Sequence, residues 1–206
     1  MQPSCIILGG PNGSGKSSAY AKLQLEGVWI NADEMAKELT GTSDGRAAAM
    51  AAGRAALRKI REMIDTRQSF IFETTLSSQQ SINMMRDAKA AGFTVGLYYT
   101  ALDSVERNIE RVRQRVEVGG HDIPVGDIRR RYAGSLAKLS TALELADEAL
   151  LIDNSGIEPR EVFRIEAGEV VAFDTDERNE LHRYMMRSVC LALGVTQWGG
   201  DFRKIR

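Results

Sequence analysis

The stretch Gly10-Pro11-Asn12-Gly13-Ser14-Gly15-Lys16-Ser17 restricts what this chain can become more than any other. It fits G-x-x-x-x-G-K-[ST], whose glycines let successive backbone N–H groups face phosphate oxygens in a conformation that side chains would obstruct. Lys16 is placed to reach the outer phosphates of a nucleoside triphosphate, and the Ser17 hydroxyl to join the shell of Mg²⁺. The setting agrees: Cys5-Ile6-Ile7-Leu8 reads as a buried strand, and Ser17 to Leu23 as a helix. Strand, glycine loop and helix N-terminus together form an anion site. Gly10 to Ser18 is therefore the candidate nucleotide-binding segment.

Further acidic groups follow at strand ends. Gly27 ends the first helix and Val28-Trp29-Ile30 reads as a strand running into Asn31-Ala32-Asp33. In parallel α/β sheets, ligands sit beyond the carboxyl ends of strands. Asp33 is thus either a carboxylate in the cleft or the N-cap of a helix over Glu34 to Leu39. A loop is expected at 41–45, with Asp44 capping a helix over Arg46 to Thr66. Ser69-Phe70-Ile71-Phe72 is a third strand, ending in Glu73-Thr74-Thr75. Glu73 belongs in the cleft or in an ion pair, since an unpaired carboxylate in a core is costly.

The second half continues the alternation. A helix is expected over Gln79 to Ala91, a strand over Phe93 to Tyr99, and a helix capped by Asp103 or Ser104 running to about Val118. Gly119-Gly120-His121-Asp122-Ile123-Pro124 cannot continue that helix. Another begins near Gly126-Asp127 and runs through Arg129-Arg130-Arg131 to Leu145. A basic helix pair on a Gly-Gly and Pro hinge suits a lid over phosphates, and also an ordinary helix–turn–helix connection. Arg115 and the three arginines flank the turn. Consecutive helical residues point about 100° apart, so at most two of the three can face one ligand.

Glu148 to Asp153 is a fifth strand, followed by Asn154 and Ser155, which would border an adenine. Val162 to Ile165 and Val170 to Phe173 suggest a hairpin at the sheet edge, and Asp176 to Leu193 a last helix. A basic tail completes the chain. The alternation predicts a three-layer α/β/α sandwich around a mostly parallel sheet, the P-loop nucleoside triphosphate hydrolase fold with a helical lid. The expected division is a phosphate-loop core over 1–156, with the lid at about 112–132, and a hairpin and helix over 157–206 packed on it.

At 206 residues and a formal net charge of −1, the composition argues for neither nucleic acid nor membrane affinity. Two cysteines without C-x-x-C spacing suit a reducing compartment. The N-terminus shows no basic n-region, and no apolar run approaches the length of a membrane span. A cytoplasmic protein is expected.

Taken together, Gly10 to Ser17, Asn31-Ala32-Asp33, Phe72 to Thr75, and Arg115 with Gly119 to Pro124 and Ile128-Arg129-Arg130-Arg131-Tyr132 resemble the zeta-toxin family of phosphate-loop kinases. The resemblance covers roughly Cys5 to Gly156. It implies an ATP-dependent, Mg²⁺-assisted kinase that transfers the γ-phosphate to a hydroxyl of a small acceptor, such as the nucleotide sugar UDP-N-acetylglucosamine. It implies Asp33 as general base and Glu73 as a substrate contact, with Asn31 and Thr75 beside it. Arg115 would be one γ-phosphate arginine and Arg129, Arg130 or Arg131 the other; Arg130 and Arg131 are the leading candidates. An antitoxin partner is compatible with the family, although no residue here calls for one. The family's toxins tend to carry an arginine soon after Glu-x-Thr, where this chain has Leu76-Ser77-Ser78. The rival class is a nucleotide-hydrolysing switch that acts through a protein partner.

Overall fold

The computed structural model describes residues 2–23, 25–40 and 46–195. The expected loop at 41–45, its cap Asp44 and the tail from 196 onward lie outside these. In chain order the first half runs β1 (Ser4–Gly9), α1 (Lys16–Leu23), β2 (Val28–Asn31), α2 (Ala32–Thr40), α3 (Arg46–Asp65), β3 (Phe70–Thr74), α4 (Gln79–Ala90) and β4 (Thr94–Ala101). The second half is α5 (Val105–Glu117), α6 (Val125–Leu145), β5 (Glu148–Asp153), β6 (Arg160–Glu166), β7 (Glu169–Phe173) and α7 (Glu180–Leu193).

The strands form one sheet in the order β2-β3-β1-β4-β5-β6-β7. The first five are parallel, and β6 and β7 add antiparallel at one edge. The α/β, mostly parallel architecture expected of the sequence is present. Register brings the strand ends level: Gly9 pairs with Thr74 and Tyr99, Asn31 with Glu73, and Ala101 with Asp153. The loop after β1 therefore emerges between the ends of β3 and β4. Parallel sheets place their ligands at this carboxyl edge.

Side chains alternate across the sheet, so Cys5, Ile7, Val95, Leu97, Tyr99, Leu151 and Phe163 share one buried face. Ile60, Met63, Ile82, Met85, Leu139, Met185 and Val189 of α3, α4, α6 and α7 close over it. Phe70 meets Phe93 edge-on at 5.8 Å, a geometry worth about 1 kcal/mol beyond burial. The opposite face is more open. Ile6, Tyr98, Leu150 and Arg164, with Leu25, line a shallow cavity of about 240 Å³ there.

Boundaries differ from expectation where side chains compete for the backbone. The last helix begins at Glu180 rather than Asp176. The Asn179 side chain accepts from the N–H groups of Leu181 and His182, while Asp176 ties up the Arg178 N–H at 2.9 Å. These bonds hold 176–179 as a turn. Of the two candidates for capping α5, Ser104 accepts from Arg107 N–H, and Asp103 instead pairs with the Arg107 guanidinium at 2.8 Å. Among the described residues no helix is long and apolar enough to cross a membrane. Both cysteines are free thiols.

Candidate functional site

The glycine loop takes its shape from what surrounds it. Gly10 and Gly15 hold φ of 141° and 100°, and a Cβ would strike the Thr100 carbonyl at Gly10 and the Asn154 amide at Gly15. Thr100 Oγ1 and Asn154 Nδ2 both donate to the Ser14 carbonyl, at 3.3 and 2.8 Å. Asn108 of α5 donates to the Asn12 carbonyl, and Arg131 of α6 to the Asn12 side chain at 3.3 Å. Asn12 and Ser14 are thus gripped from β4, α5, α6 and the end of β5. Thr100 and Asn108 carry no motif, and the sequence offered no signal for them.

Lys16 is 6% exposed and donates to the carbonyls of Gly10 and Pro11 at 2.8 and 2.9 Å. Burial holds its pKa below the ordinary lysine value. Glu73 and Asp33 oppose that shift, while Arg115 and Arg131 add to it. These charges come from β3, α2, α5 and α6, four separate elements of the chain.

The acidic side is built around Glu73. Its Oε2 accepts from the Ser17 hydroxyl at 2.9 Å and from Asn31 Nδ2 at 3.0 Å, and Oε1 lies 3.9 Å from the Lys16 ammonium. Of the two placements expected for Glu73, the ion pair is the one observed, with Lys16. Asn31 Oδ1 accepts from Asp33 and Glu34 N–H, at 2.8 and 3.2 Å. Asn31, not Asp33, is the side chain that caps α2. That leaves the exposed Asp33 carboxylate out of the capping role. Asn31 thereby bonds the Glu73 carboxylate with its amide nitrogen and the backbone at Asp33 with its oxygen, linking the two acids.

Thr75 Oγ1 pairs with Ser77 Oγ at 2.8 Å in the loop after β3. The next residue, Leu76, has φ 56° and is fully buried. A non-glycine residue held there costs about 1 kcal/mol or more, and such strain gathers where geometry serves a site. Leu76 N–H bonds Thr74 Oγ1 at 3.1 Å, which fixes how Thr75 leaves the strand.

The arginines separate clearly. Arg115 donates to the His121 carbonyl at 2.7 Å across the turn between α5 and α6. Its Nε is buried and has no hydrogen-bond partner among the described residues. Under the turn, Val112, Ile123 and Ile128 form a small apolar cluster. Arg131 points to the glycine loop. Arg129 pairs with Glu106 at 2.8 Å, and Arg130, 72% exposed, pairs with Asp127 at 3.0 Å. The expectation that Arg130 joins the site is corrected: one helical step turns it onto its own helix surface.

Asn154 needs a similar correction. Its amide supports Ser14 and its carbonyl accepts from Arg111 at 2.8 Å, so its polar groups serve the loop rather than a base. Ser18 is exposed at the start of α1, with no bond to the loop among the described residues. Trp29, unmarked in the sequence, stacks on Tyr20 at 3.9 Å and donates to Glu34 at 2.8 Å, tying β2 to the first turn of α2.

The residues fit a triphosphate: Lys16 and Arg131 bring positive charge to a glycine loop that Thr100 and Asn154 hold too closely for a Cβ at Gly10 or Gly15. The hydroxyl of Ser17 against the Glu73 carboxylate supplies the hard oxygen donors Mg²⁺ prefers.

Comparison with known proteins places this geometry among relatives. The model of a family described as zeta toxin matches residues 1–158. An uncharacterized protein of Haemophilus influenzae is 35% identical over 133 residues, spanning 64% of this chain and 94% of that protein. The crystal structure of AvrRxo1-ORF1:-ORF2 with ATP superposes with a TM-score of 0.67 at 18% identity, over 97% of this chain and 66% of that one. The chain thus spans slightly less than two thirds of that neighbour's length. A structure from the PezAT chromosomal toxin-antitoxin system of Streptococcus pneumoniae gives a TM-score of 0.58 at 14% identity, covering 93% of this chain and 88% of that one. At these identities the structural likeness concerns the fold.

Proposed function

The chain belongs to the zeta toxin family, and we propose that it is an ATP-dependent kinase that phosphorylates a hydroxyl of a small acceptor. One observation carries the reading. Lys16 and Arg131 meet at the glycine loop, while Asn31 links the Glu73 carboxylate there to the backbone of Asp33, whose exposed carboxylate stands on a separate helix. A hydrolytic switch would use Lys16, Ser17 and Glu73, but needs no such carboxylate. The AvrRxo1 neighbour crystallised with ATP supports the choice of nucleotide.

Phosphoryl transfer asks for in-line positioning and charge neutralisation rather than covalent help. The loop N–H groups and Lys16 hold the donor's phosphates. Ser17 and Glu73 would hold Mg²⁺, which would supply neutralising positive charge. Asp33 orients the acceptor hydroxyl and takes its proton as oxygen bonds to the γ-phosphorus. The bond from that phosphorus to the bridging oxygen breaks, and ADP leaves. Arg115 and Arg131 balance charge on the transferring group. The acceptor class is a nucleotide sugar such as UDP-N-acetylglucosamine, as for the family's toxins. Glu73 then has a second task beside the sugar.

Incubation with γ-labelled ATP and a fractionated metabolite extract should yield labelled product in hydroxyl-bearing fractions, with ATP consumption rising when acceptor is added. Hydrolysis at one rate with every fraction, and no labelled product, would instead indicate the switch. The acceptor in the active fraction then identifies itself by mass.

Lys16 gives a pH signature. Its ammonium is the phosphate-binding form, so affinity for Mg·ATP should fall as pH rises through its lowered pKa, before the ordinary lysine value of 10.5 is reached. Stability of the unliganded protein should move the other way in that window. There the unfolded chain binds a proton that the folded one does not, so stability rises with pH. Titration calorimetry at several pH values checks this; affinity that stays level up to the ordinary lysine range contradicts it.

A further inference from the structure

Residues beyond 158 fall outside the matched family segment, yet one of them reaches toward the loop. His182 of α7 is 1% exposed. Its Nδ1 accepts the Asp176 N–H at 2.9 Å, which assigns the ring proton to Nε2. Nε2 then donates to Asp153 Oδ2 at 3.0 Å, where Asn179 Nδ2 also donates at 3.1 Å. The other carboxylate oxygen accepts from Ser155 N–H at 2.9 Å and from the Ser155 hydroxyl. Burial alone would raise the Asp153 pKa, but the bonds from Ser155 and His182 bring it below the ordinary carboxylate value. The next residue is Asn154, whose amide holds the Ser14 carbonyl against Gly15 with no room for even a Cβ.

We propose that His182 is a positioning residue for the nucleotide loop, acting through Asp153 and Asn154, so that the C-terminal helix and bound nucleotide stabilise each other. This rests on the reading of the loop as an ATP site. Gly15 and Asn154 are in contact without slack, so a shift of a few tenths of an ångström at Asp153 reaches the loop backbone. Binding coupled in this way is reciprocal.

Hydrogen exchange on the wild-type chain tests it without mutation. Saturating Mg·ATP should slow exchange at 10–17 and also, by about fivefold or more, at 176–183. Protection at 10–17 alone overturns the coupling; no protection at 10–17 overturns the ATP reading and this inference with it. Two variants then separate positioning from simple stability. His182→Asn keeps an acceptor for Asp176 N–H and loses the donor to Asp153, so Mg·ATP affinity should drop roughly fivefold. His182→Gln, whose amide nitrogen reaches where Nε2 stood, should retain near-wild-type affinity. A lowered melting temperature in both variants with affinity unchanged would reduce His182 to a packing role.

Discussion

Arg131→Ala should slow acceptor-dependent turnover by roughly a thousandfold, whereas its neighbour Arg130→Ala should leave it within about twofold. The two differ by one helical step. Arg131 reaches Asn12 of the loop and acts on Lys16, while Arg130 lies on Asp127 in solvent. An arginine that balances charge on a transferring phosphoryl group is worth ~10³–10⁵ in rate, and an exposed i,i+3 pair contributes a few tenths of a kcal/mol at most. Steady-state kinetics with the acceptor identified by label transfer, alongside calorimetry for Mg·ATP, would check this. Equal losses in both variants would mean that the helix as a whole, and not one guanidinium, matters.

Asp33→Asn should lower the transfer rate by about 10²–10⁴ and leave Mg·ATP affinity nearly unchanged. The substitution keeps shape and removes the proton acceptor. It should also spare the fold, because Asn31 supplies the cap of α2 and Asp33 contributes only a first-turn charge, worth typically 0.3–1 kcal/mol. Thermal unfolding would confirm the second point and kinetics the first. Unchanged transfer would leave Asp33 as no more than a favourable acid at a helix start.

Much of this was legible in the residues. The alternation of apolar strands and helices led to a parallel sheet, and the glycine loop to its carboxyl edge, because both signals are local. The roles of the three consecutive arginines were not legible: helix phase relative to a distant loop depends on tertiary packing of α6. Nor was the use of Asn154. An asparagine after a strand can meet a base or a backbone carbonyl, and here its partner Ser14 lies 140 residues earlier. Asn31 and Asp33 competed for one cap, and a two-residue offset cannot be resolved by propensity alone. Asp176 misled for the same reason, since it and Asn179 both terminate turns well.

The way the glycine loop is gripped has a consequence for the order in which the protein is made. Its supports lie 86, 96, 119 and 140 residues further along the chain, at Thr100, Asn108, Arg131 and Asn154. The ribosome releases the loop first and its last support more than a hundred residues later. Contacts this distant are slow to form, because closing long loops precedes any gain from the bonds. A nascent chain ending short of Asn154 therefore carries the whole nucleotide motif without the grip that shapes it. Competence to hold phosphate arrives only once Asn154 has been made, long after the motif itself.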